Sequence, residues 1–88
     1  MNSQIACVHI DAVPLVPLGE VFDVFARCRS SHIRQTGSLF EATVETDDID
    51  ELGREVTRAL ERVVAIQQSA HILERLDTTT FHLRPPAA

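Results

Sequence analysis

The stretch that decides the fold is HIRQTGSLFEATVET, residues 32–46, in which Gly37 separates two runs of alternating character. Glycine adopts positive φ without steric cost, so it can close a tight turn. Alternation with a period of two is typical of a strand with one buried face. In the second run the apolar set is Phe40, Ala42 and Val44, and the polar set is Glu41, Thr43 and Glu45. The stretch therefore predicts two antiparallel strands, at 32–35 and 39–46, joined at Gly37.

Upstream of this hairpin the sequence predicts a strand and then a helix. Residues 5–13, IACVHIDAV, alternate and are rich in β-branched side chains, which indicates strand one. One face carries Ala6, Val8, Ile10 and Ala12, and the other carries Cys7, His9 and Asp11. Residues 14–19, PLVPLG, interrupt the strand and suit the start of a helix. Apolar residues then recur at helical spacing, which predicts helix one over 18–29. This stripe consists of Leu18, Val21, Phe22, Phe25 and Cys28.

Downstream of the hairpin the sequence predicts a second helix and an ambiguous end. Asp47 and Asp48 are suitable N-caps for this helix. Its apolar stripe consists of Ile49, Leu52, Val56, Leu60 and Val63. After Val64 two interpretations stay open. In the first, AIQQSAHILERL continues the helix and DTTTFHL is the last strand. In the second, residues 64–76 are themselves a strand and 77–84 form an extended arm.

Both interpretations give the element order βαββαβ, which predicts an α+β fold with a ferredoxin-like arrangement. In this arrangement two helices cover one face of a four-stranded antiparallel sheet, and residues 1–88 form a single domain. An 88-residue chain buries only roughly 60–65% of the surface that its unfolded form exposes, so its core is thin. We therefore expect the open sheet face to pair with a second copy, giving a homodimer and higher oligomers.

The composition excludes several classes of function. Hydrophobic residues make up 44% of the chain and charged residues 24%, which is typical of a soluble globular domain. The formal net charge of -5 repels phosphate backbones, so we expect no direct nucleic-acid partner. No apolar run has the form of a signal peptide or the length of a membrane span. We therefore expect a cytoplasmic protein with no membrane partner.

Groups that could carry chemistry are few. Cys7 and Cys28 are too far apart for a metal-knuckle motif, and each lies in an apolar pattern, so we expect buried, inert thiols. His9 and His71 could approach each other on neighbouring strands, near Asp11 or a glutamate, but they lack a paired-ligand spacing. The sequence contains no nucleophile motif and no glycine-rich phosphate loop. We therefore expect no metal, no cofactor and no catalytic residues.

Taken in order, three segments carry a resemblance to a known family. They are IACVHIDA, HIRQTGSLFEATVETDDIDEL and ALERVVAIQQSAHILERLDTTTFHL. Together they resemble the C-terminal effector-binding (RAM) domain of the Lrp/AsnC transcription regulators, in a stand-alone form without the helix-turn-helix. The resemblance covers nearly the whole chain. It implies a domain that binds amino acids and forms oligomers, and it favours a strand over residues 64–76.

The resemblance also implies an effector cleft between the glycine turn and the polar side of the last strand. Its ligand-binding residues would be Gln35, Thr36, Gly37, Ser38, Glu41, Gln67 and Ser69. A glycine turn lets backbone N–H groups approach a carboxylate, and nearby hydroxyls and amides supply the polar contacts that a small zwitterion needs. The alternative is that Gly37 only permits the hairpin.

Two other functions compete with effector sensing. The first is an enzyme of the dimeric α+β barrel type, similar to small monooxygenases, which would enclose a substrate or haem between helices and sheet. His9, His32 or His71 would then do acid–base or ligand work. The second is an assembly adaptor that lends subunits to a full-length regulator of the Lrp/AsnC family. We expect the sensing role, with no enzymatic activity.

Overall fold

Two helices and a five-stranded mixed sheet make up the computed structural model, which describes residues 3–12, 18–67 and 71–85. The strand order across the sheet is β2-β3-β1-β5-β4. The elements in chain order are β1 (Gln4–Ala12), α1 (Gly19–Ala26), β2 (Ser30–Thr36), β3 (Leu39–Thr46), α2 (Ile49–Gln67), β4 (Ile72–Asp77) and β5 (Thr80–Arg84). The α+β class is therefore confirmed, whereas the prediction of four antiparallel strands is wrong.

The hairpin of β2 and β3 forms as its sequence predicts. Thr36 pairs with Leu39, which leaves Gly37 and Ser38 as a two-residue turn, and Gly37 has a φ of 60°. Positive φ at this position of a tight hairpin turn is the conformation that glycine adopts most readily. β3 then pairs antiparallel with β1 over its whole length, from Gln4 opposite Thr46 to Asp11 opposite Leu39. These three strands form one half of the sheet.

The second half of the sheet differs from both sequence interpretations. Helix α2 extends to Gln67, which confirms the helical interpretation for residues 64–67 and makes the strand over 64–76 wrong there. Residues 68–70 lie outside the described residues. From Ile72 the chain forms the antiparallel hairpin of β4 and β5, and β5 pairs with β1 in parallel. The last two strands thus take the place that the prediction gave to one antiparallel strand.

The apolar stripe of α2 explains why the helix persists. Val56, Leu60 and Val63 are each at most 4% exposed, and Val64 packs partly against the same core. An extended chain from Val64 onward would remove that side chain from the helical stripe. The hairpin beyond it has its own alternation, in which Phe81 and Leu83 are fully buried.

The core lies between the helices and one face of the sheet. Among the described residues no polar or charged side chain is buried. The largest fully buried side chains are Phe25, Phe81, Ile10, Leu60, Leu83, Val8, Val21, Val44 and Val56. They come from both helices and from the three central strands. In the described part of the chain, neither helix combines the length and apolarity that crossing a membrane requires.

Candidate functional site

The sheet face opposite the helices, which we call the open face, carries the polar half of each central strand. Along β1 the exposed and half-exposed side chains alternate with buried ones, as the period of two requires. The register then places their neighbours on β3 and β5 on the same side. The open-face residues of the three central strands are Ile5, Cys7, His9, Asp11, Leu39, Glu41, Thr43, Glu45, Thr80, His82 and Arg84. This face is where the sequence predicts pairing with a second copy.

Three side chains with metal-ligating atoms meet at the centre of the open face. His9 Nε2 lies 3.5 Å from Glu41 Oε2 and 3.7 Å from Cys7 Sγ. One ligand atom from each residue lies within 4.8 Å of the other two. Cys7 and His9 share a face because they are two positions apart on β1, and Glu41 is the direct cross-strand partner of His9. β1 is the middle strand of the five.

The turn between β4 and β5 borders this cluster. The His9 backbone N–H donates a hydrogen bond to the Thr79 carbonyl, with an N···O distance of 2.8 Å. The Asp77 carboxylate accepts a hydrogen bond from the Thr79 N–H at 2.9 Å. This bond is the largest cause that lowers the pKa of Asp77, followed by a bond from the Thr80 side chain; the charge of His9 contributes less. Acidic groups therefore flank His9 on two sides.

The two cysteines differ in a way that the sequence analysis missed. Cys7 is exposed, so the prediction that both thiols are buried is wrong for Cys7. The period-two pattern had already placed Cys7 opposite the apolar side of β1. Cys28 is partly buried beside the core, and its Sγ lies 3.7 Å from the Val24 carbonyl oxygen. Burial raises the pKa of the Cys28 thiol, and the Glu55 carboxylate raises it further, against the opposing effect of Arg27. Cys28 is therefore the less reactive thiol.

Polar groups of the predicted residues at the Gly37 turn form hydrogen bonds within the chain. Gln35 Nε2 donates to the Gly37 carbonyl at 3.1 Å, and Ser38 Oγ donates to Asp11 Oδ1 at 2.7 Å. The Ala12 N–H donates to the Ser38 carbonyl at 3.0 Å. Gln35, Thr36, Gly37 and Ser38 lie together, and Asp11 joins them. Asp11 was not among the predicted ligand-binding residues.

Glu41 is the only one of the other three predicted ligand-binding residues whose side chain the structure describes. Glu41 lies on the open face against His9. Gln67 ends helix α2, so the prediction that it occupies the polar side of a strand is wrong because the helix persists; its side chain lies outside the described residues, as does Ser69. His71 precedes Ile72, which pairs with Arg84, whereas His9 pairs with Thr80. The predicted approach of His9 to His71 is therefore wrong.

A cleft of about 270 Å³ lies at the opposite end of the sheet from the Gly37 turn. It is bounded by the end of α1, the end of β3 and the first turns of α2. Its lining residues are Val24, Arg27, Cys28, Arg29, Glu45, Thr46, Asp47, Asp48, Glu51, Leu52 and Glu55. Five carboxylates outnumber two guanidinium groups, so the cleft suits a cationic group better than an anionic one.

Several charged side chains of this cleft already form ion pairs or cap helix α2. Arg29 pairs with Asp47, and Arg27 lies 3.9 Å from Glu55. Asp48 Oδ1 accepts a hydrogen bond from the Glu51 N–H at 3.1 Å, which caps α2. The sequence predicted the acidic helix start. The N-terminal end of α2 and the C-terminal end of α1 come together only through packing of the two helices, which the sequence pattern did not predict.

Comparisons of this chain with protein-family models, with curated proteins and with solved structures found no match.

Proposed function

We propose that the chain is a self-associating effector-sensing module, in which two copies pair their open faces and bind a small amino-acid-like effector near the Gly37 turn. The observation that carries this proposal is the exposed apolar surface on and beside a sheet face that no described element covers. Ile5 is 69% exposed, Leu76 54% and Ile72 47%. Apolar side chains that are exposed in one chain lose contact with water when the face pairs with a second copy, which favours association.

The dimensions of the open face support pairing with a second copy. Five strands at a spacing of about 4.8 Å span roughly 19–24 Å, and three or four outward residues per strand extend roughly 20 Å. These dimensions give a flat area of roughly 450 Å². Because side chains project from the sheet, the solvent-accessible area is larger than this. A standard interface buries about 800 Å² per partner. The open face therefore supplies a large share of such an interface.

The charges on the open face also suit a copy of itself. Arg34 pairs in register with Glu41 on one side of the sheet, and Arg84 forms an ion pair with Glu74 on the other. Acidic and basic groups are thus interspersed and do not form a field of one sign. Face-to-face pairing of ferredoxin-like sheets brings such mixed surfaces together without net repulsion. We infer a ferredoxin-like domain in which the β4–β5 hairpin widens the pairing surface.

The Gly37 turn offers complementary groups for a zwitterion. At positive φ the backbone of Gly37 can present N–H groups to a ligand carboxylate. The Asp11 carboxylate and the Ser38 hydroxyl lie within 2.7 Å of each other and can accept hydrogen bonds from an ammonium group. The resemblance to the Lrp/AsnC effector domain supports the same location. Pairing of two open faces would border this turn with a second chain.

The space between helices and sheet favours sensing over the enzyme alternative. A barrel-type enzyme holds its substrate between these layers. Here Phe25, Leu60 and Phe81 fill that space and are each at most 1% exposed. The adaptor alternative uses the same open face as self-association, and copurification of a helix-turn-helix regulator with the chain would favour it.

Concentration-dependent alkylation of the two cysteines tests the pairing. The experiment is done in the presence of a chelator, with sedimentation equilibrium on the same samples. Pairing covers Cys7 on the open face, so its alkylation rate should fall as protein concentration rises. Cys28, beside the helices, is the internal reference and should keep a constant rate. A chain that sediments as a monomer at micromolar concentration, with Cys7 equally reactive throughout, contradicts the pairing.

A matched pair of variants sharpens this test. Thr43→Arg introduces a bulky charge in the open face, and it should shift the dimer towards monomer without unfolding it. Arg58→Glu on the exposed side of α2 is the control and should leave the sedimentation profile unchanged. Equal effects of the two substitutions would count against the open face as the interface.

Calorimetric titration against a panel of amino acids tests the effector. We expect saturable heat with at least one member, lost in Asp11→Asn and retained in Asp50→Asn, which changes a distant exposed aspartate on α2. A folded dimer that gives no heat with any member would refute the effector site and leave the pairing intact.

A further inference from the structure

We propose that Cys7, His9 and Glu41 form a binding site for a zinc-type transition-metal ion, with three protein ligands and a fourth position open to water. All three ligands come from one chain, so the site does not depend on the pairing of two copies. It is also separate from the effector contacts at the Gly37 turn. The ion would lie at the centre of the open face.

The distances between the ligand atoms fit a tetrahedral ion. Zinc bonds of about 2.3 Å to sulfur and about 2.0–2.1 Å to nitrogen or oxygen place adjacent tetrahedral ligands about 3.3–3.6 Å apart. The observed separations are 3.7 Å from Cys7 Sγ to His9 Nε2 and 3.5 Å from His9 Nε2 to Glu41 Oε2. All three ligand atoms lie within 4.8 Å of one another. Small rotations of exposed side chains suffice to close the site.

The chemistry of the donors selects the class of ion. A thiolate, an imidazole and a carboxylate together suit borderline ions such as Zn²⁺ or Co²⁺, whereas Mg²⁺ and Ca²⁺ prefer oxygen ligands only. His9 presents the same atom, Nε2, to both neighbours, so a neutral imidazole with its proton on Nδ1 would direct its lone pair at the ion. Three protein ligands and one open position are typical of sites that exchange a ligand.

The backbone under the cluster is held on both sides. β1 pairs with β3 along its length, and β5 lies on its other side. The His9 N–H donates to Thr79, which fixes the strand at the ligand position itself. Ligands on paired strands keep their separations better than ligands on loops. In the unpaired chain the side chains are reachable, because those of His9 and Glu41 are 39% and 35% exposed.

The binding step has a defined proton balance. Glu41 binds the ion as a carboxylate and His9 binds it as a neutral imidazole. The Cys7 thiol must lose its proton to form the metal–sulfur bond, and the proton passes to the buffer. Binding therefore releases the thiol proton, which a site without Cys7 cannot do.

Titration of the reduced, chelator-treated full chain with Co²⁺ tests the site. We expect saturation at one ion per chain, with thiolate-to-cobalt charge-transfer absorption in the near ultraviolet and tetrahedral d–d bands in the visible. Added Zn²⁺ should displace the cobalt and remove these bands. Cys7→Ser should abolish the charge-transfer band and lower the affinity by at least roughly 10–100-fold, since loss of an outer-shell partner alone typically costs that much.

Matched controls separate the site from general metal adsorption. Cys28→Ser should keep the charge-transfer band, because Cys28 lies beside the helices. Glu41→Gln should lower the affinity at least tenfold, whereas Glu45→Gln, four residues along β3, should not. His9→Gln should remove binding, and His82→Gln should retain it. Circular dichroism checks that each variant folds.

Several results would overturn the site. One is a charge-transfer band that survives in Cys7→Ser or disappears in Cys28→Ser. Another is equal loss of affinity in Glu41→Gln and Glu45→Gln. A third is a titration of the folded wild-type chain that never saturates near one ion per chain.

Discussion

The two faces of strand β1 share one backbone but differ in the burial and the chemistry of their side chains. On the helix side Ala6, Val8 and Ile10 are at most 4% exposed and belong to the core. On the open side Cys7 and His9 reach solvent and, with Glu41, bring three ligating atoms within 4.8 Å of one another. A single strand thus supplies packing energy through one set of residues and chemistry through the other. Changes on the two faces should therefore separate stability from binding.

The largest expected effect tests this separation on β5, where Phe81 is fully buried and its neighbour His82 faces the open side. Phe81→Ala should lower the free energy of unfolding by about 3–5 kcal/mol, because it removes a buried ring and leaves a cavity. His82→Ala should change it by no more than about 0.5 kcal/mol. Urea unfolding at constant protein concentration measures both. Comparable losses of unfolding free energy in the two variants would mean that residues of the open face also stabilise the fold.

A second prediction concerns the contact between α2 and the β4–β5 turn. A Cβ at Gly53 would lie 2.4 Å from the Thr78 carbonyl oxygen and 2.7 Å from Arg75 Nη2. Gly53→Ala should therefore destabilise the chain by about 1–3 kcal/mol, although alanine is the better helix former by about 1 kcal/mol. Gly19→Ala is the control, since nothing lies within 4 Å of a Cβ there. Thermal unfolding compares them, and a stable Gly53→Ala variant would contradict the position of the β4–β5 hairpin.

This contact also shows where prediction from the sequence ended. The first half of the sheet follows from local signals, namely the alternation of β1 and β3 and the glycine turn between β2 and β3. The apolar residues after Val64 fit helical and strand periodicity equally well, so the local pattern cannot distinguish a helix from a strand there. The β4–β5 turn packs on α2 through the close approach of Gly53 to Thr78, which is a long-range contact. Such contacts are invisible to a pattern read along one chain segment.

The candidate metal site was predictable in part for the same reason. The period of two assigned Cys7 and His9 to one face of β1 and Glu41 to the polar face of β3, although the expectation from the sequence was that no metal binds. The register that sets His9 directly opposite Glu41 depends on how β1 and β3 align. The apolar neighbours of Cys7 suggested burial, yet they lie on the other face of the strand. The side chain is exposed because no described element covers that face.

A third prediction uses Gly37, which helps fix the face that Glu41 occupies. Its φ of 60° is costly for residues with a Cβ. Gly37→Ala should cost about 1–2 kcal/mol, and Gly37→Asn should cost less because asparagine tolerates this region. If the turn relaxed by shifting the register one residue, Glu41 would move to the core face. Unfolding measurements should therefore be paired with the Co²⁺ titration, and loss of stability with metal binding retained is the expected outcome.

The smallest effect concerns Asp77, an exposed carboxylate at the turn that borders His9. Hydrogen bonds from the Thr79 N–H and from Thr80 lower the pKa of Asp77 in the folded chain. The ionised form is therefore favoured by folding, and its contribution is complete above the ordinary aspartate pKa of about 3.9. It is lost as the pH falls through the depressed pKa of the folded state. Asp77→Asn should be slightly less stable than the wild type at neutral pH, and the difference should vanish in acid. Asp23→Asn, at an exposed position on α1, controls for loss of charge alone. The contradicting result is a constant difference in melting temperature between wild type and Asp77→Asn across the acid range. It would show that ionisation of Asp77 does not stabilise the turn.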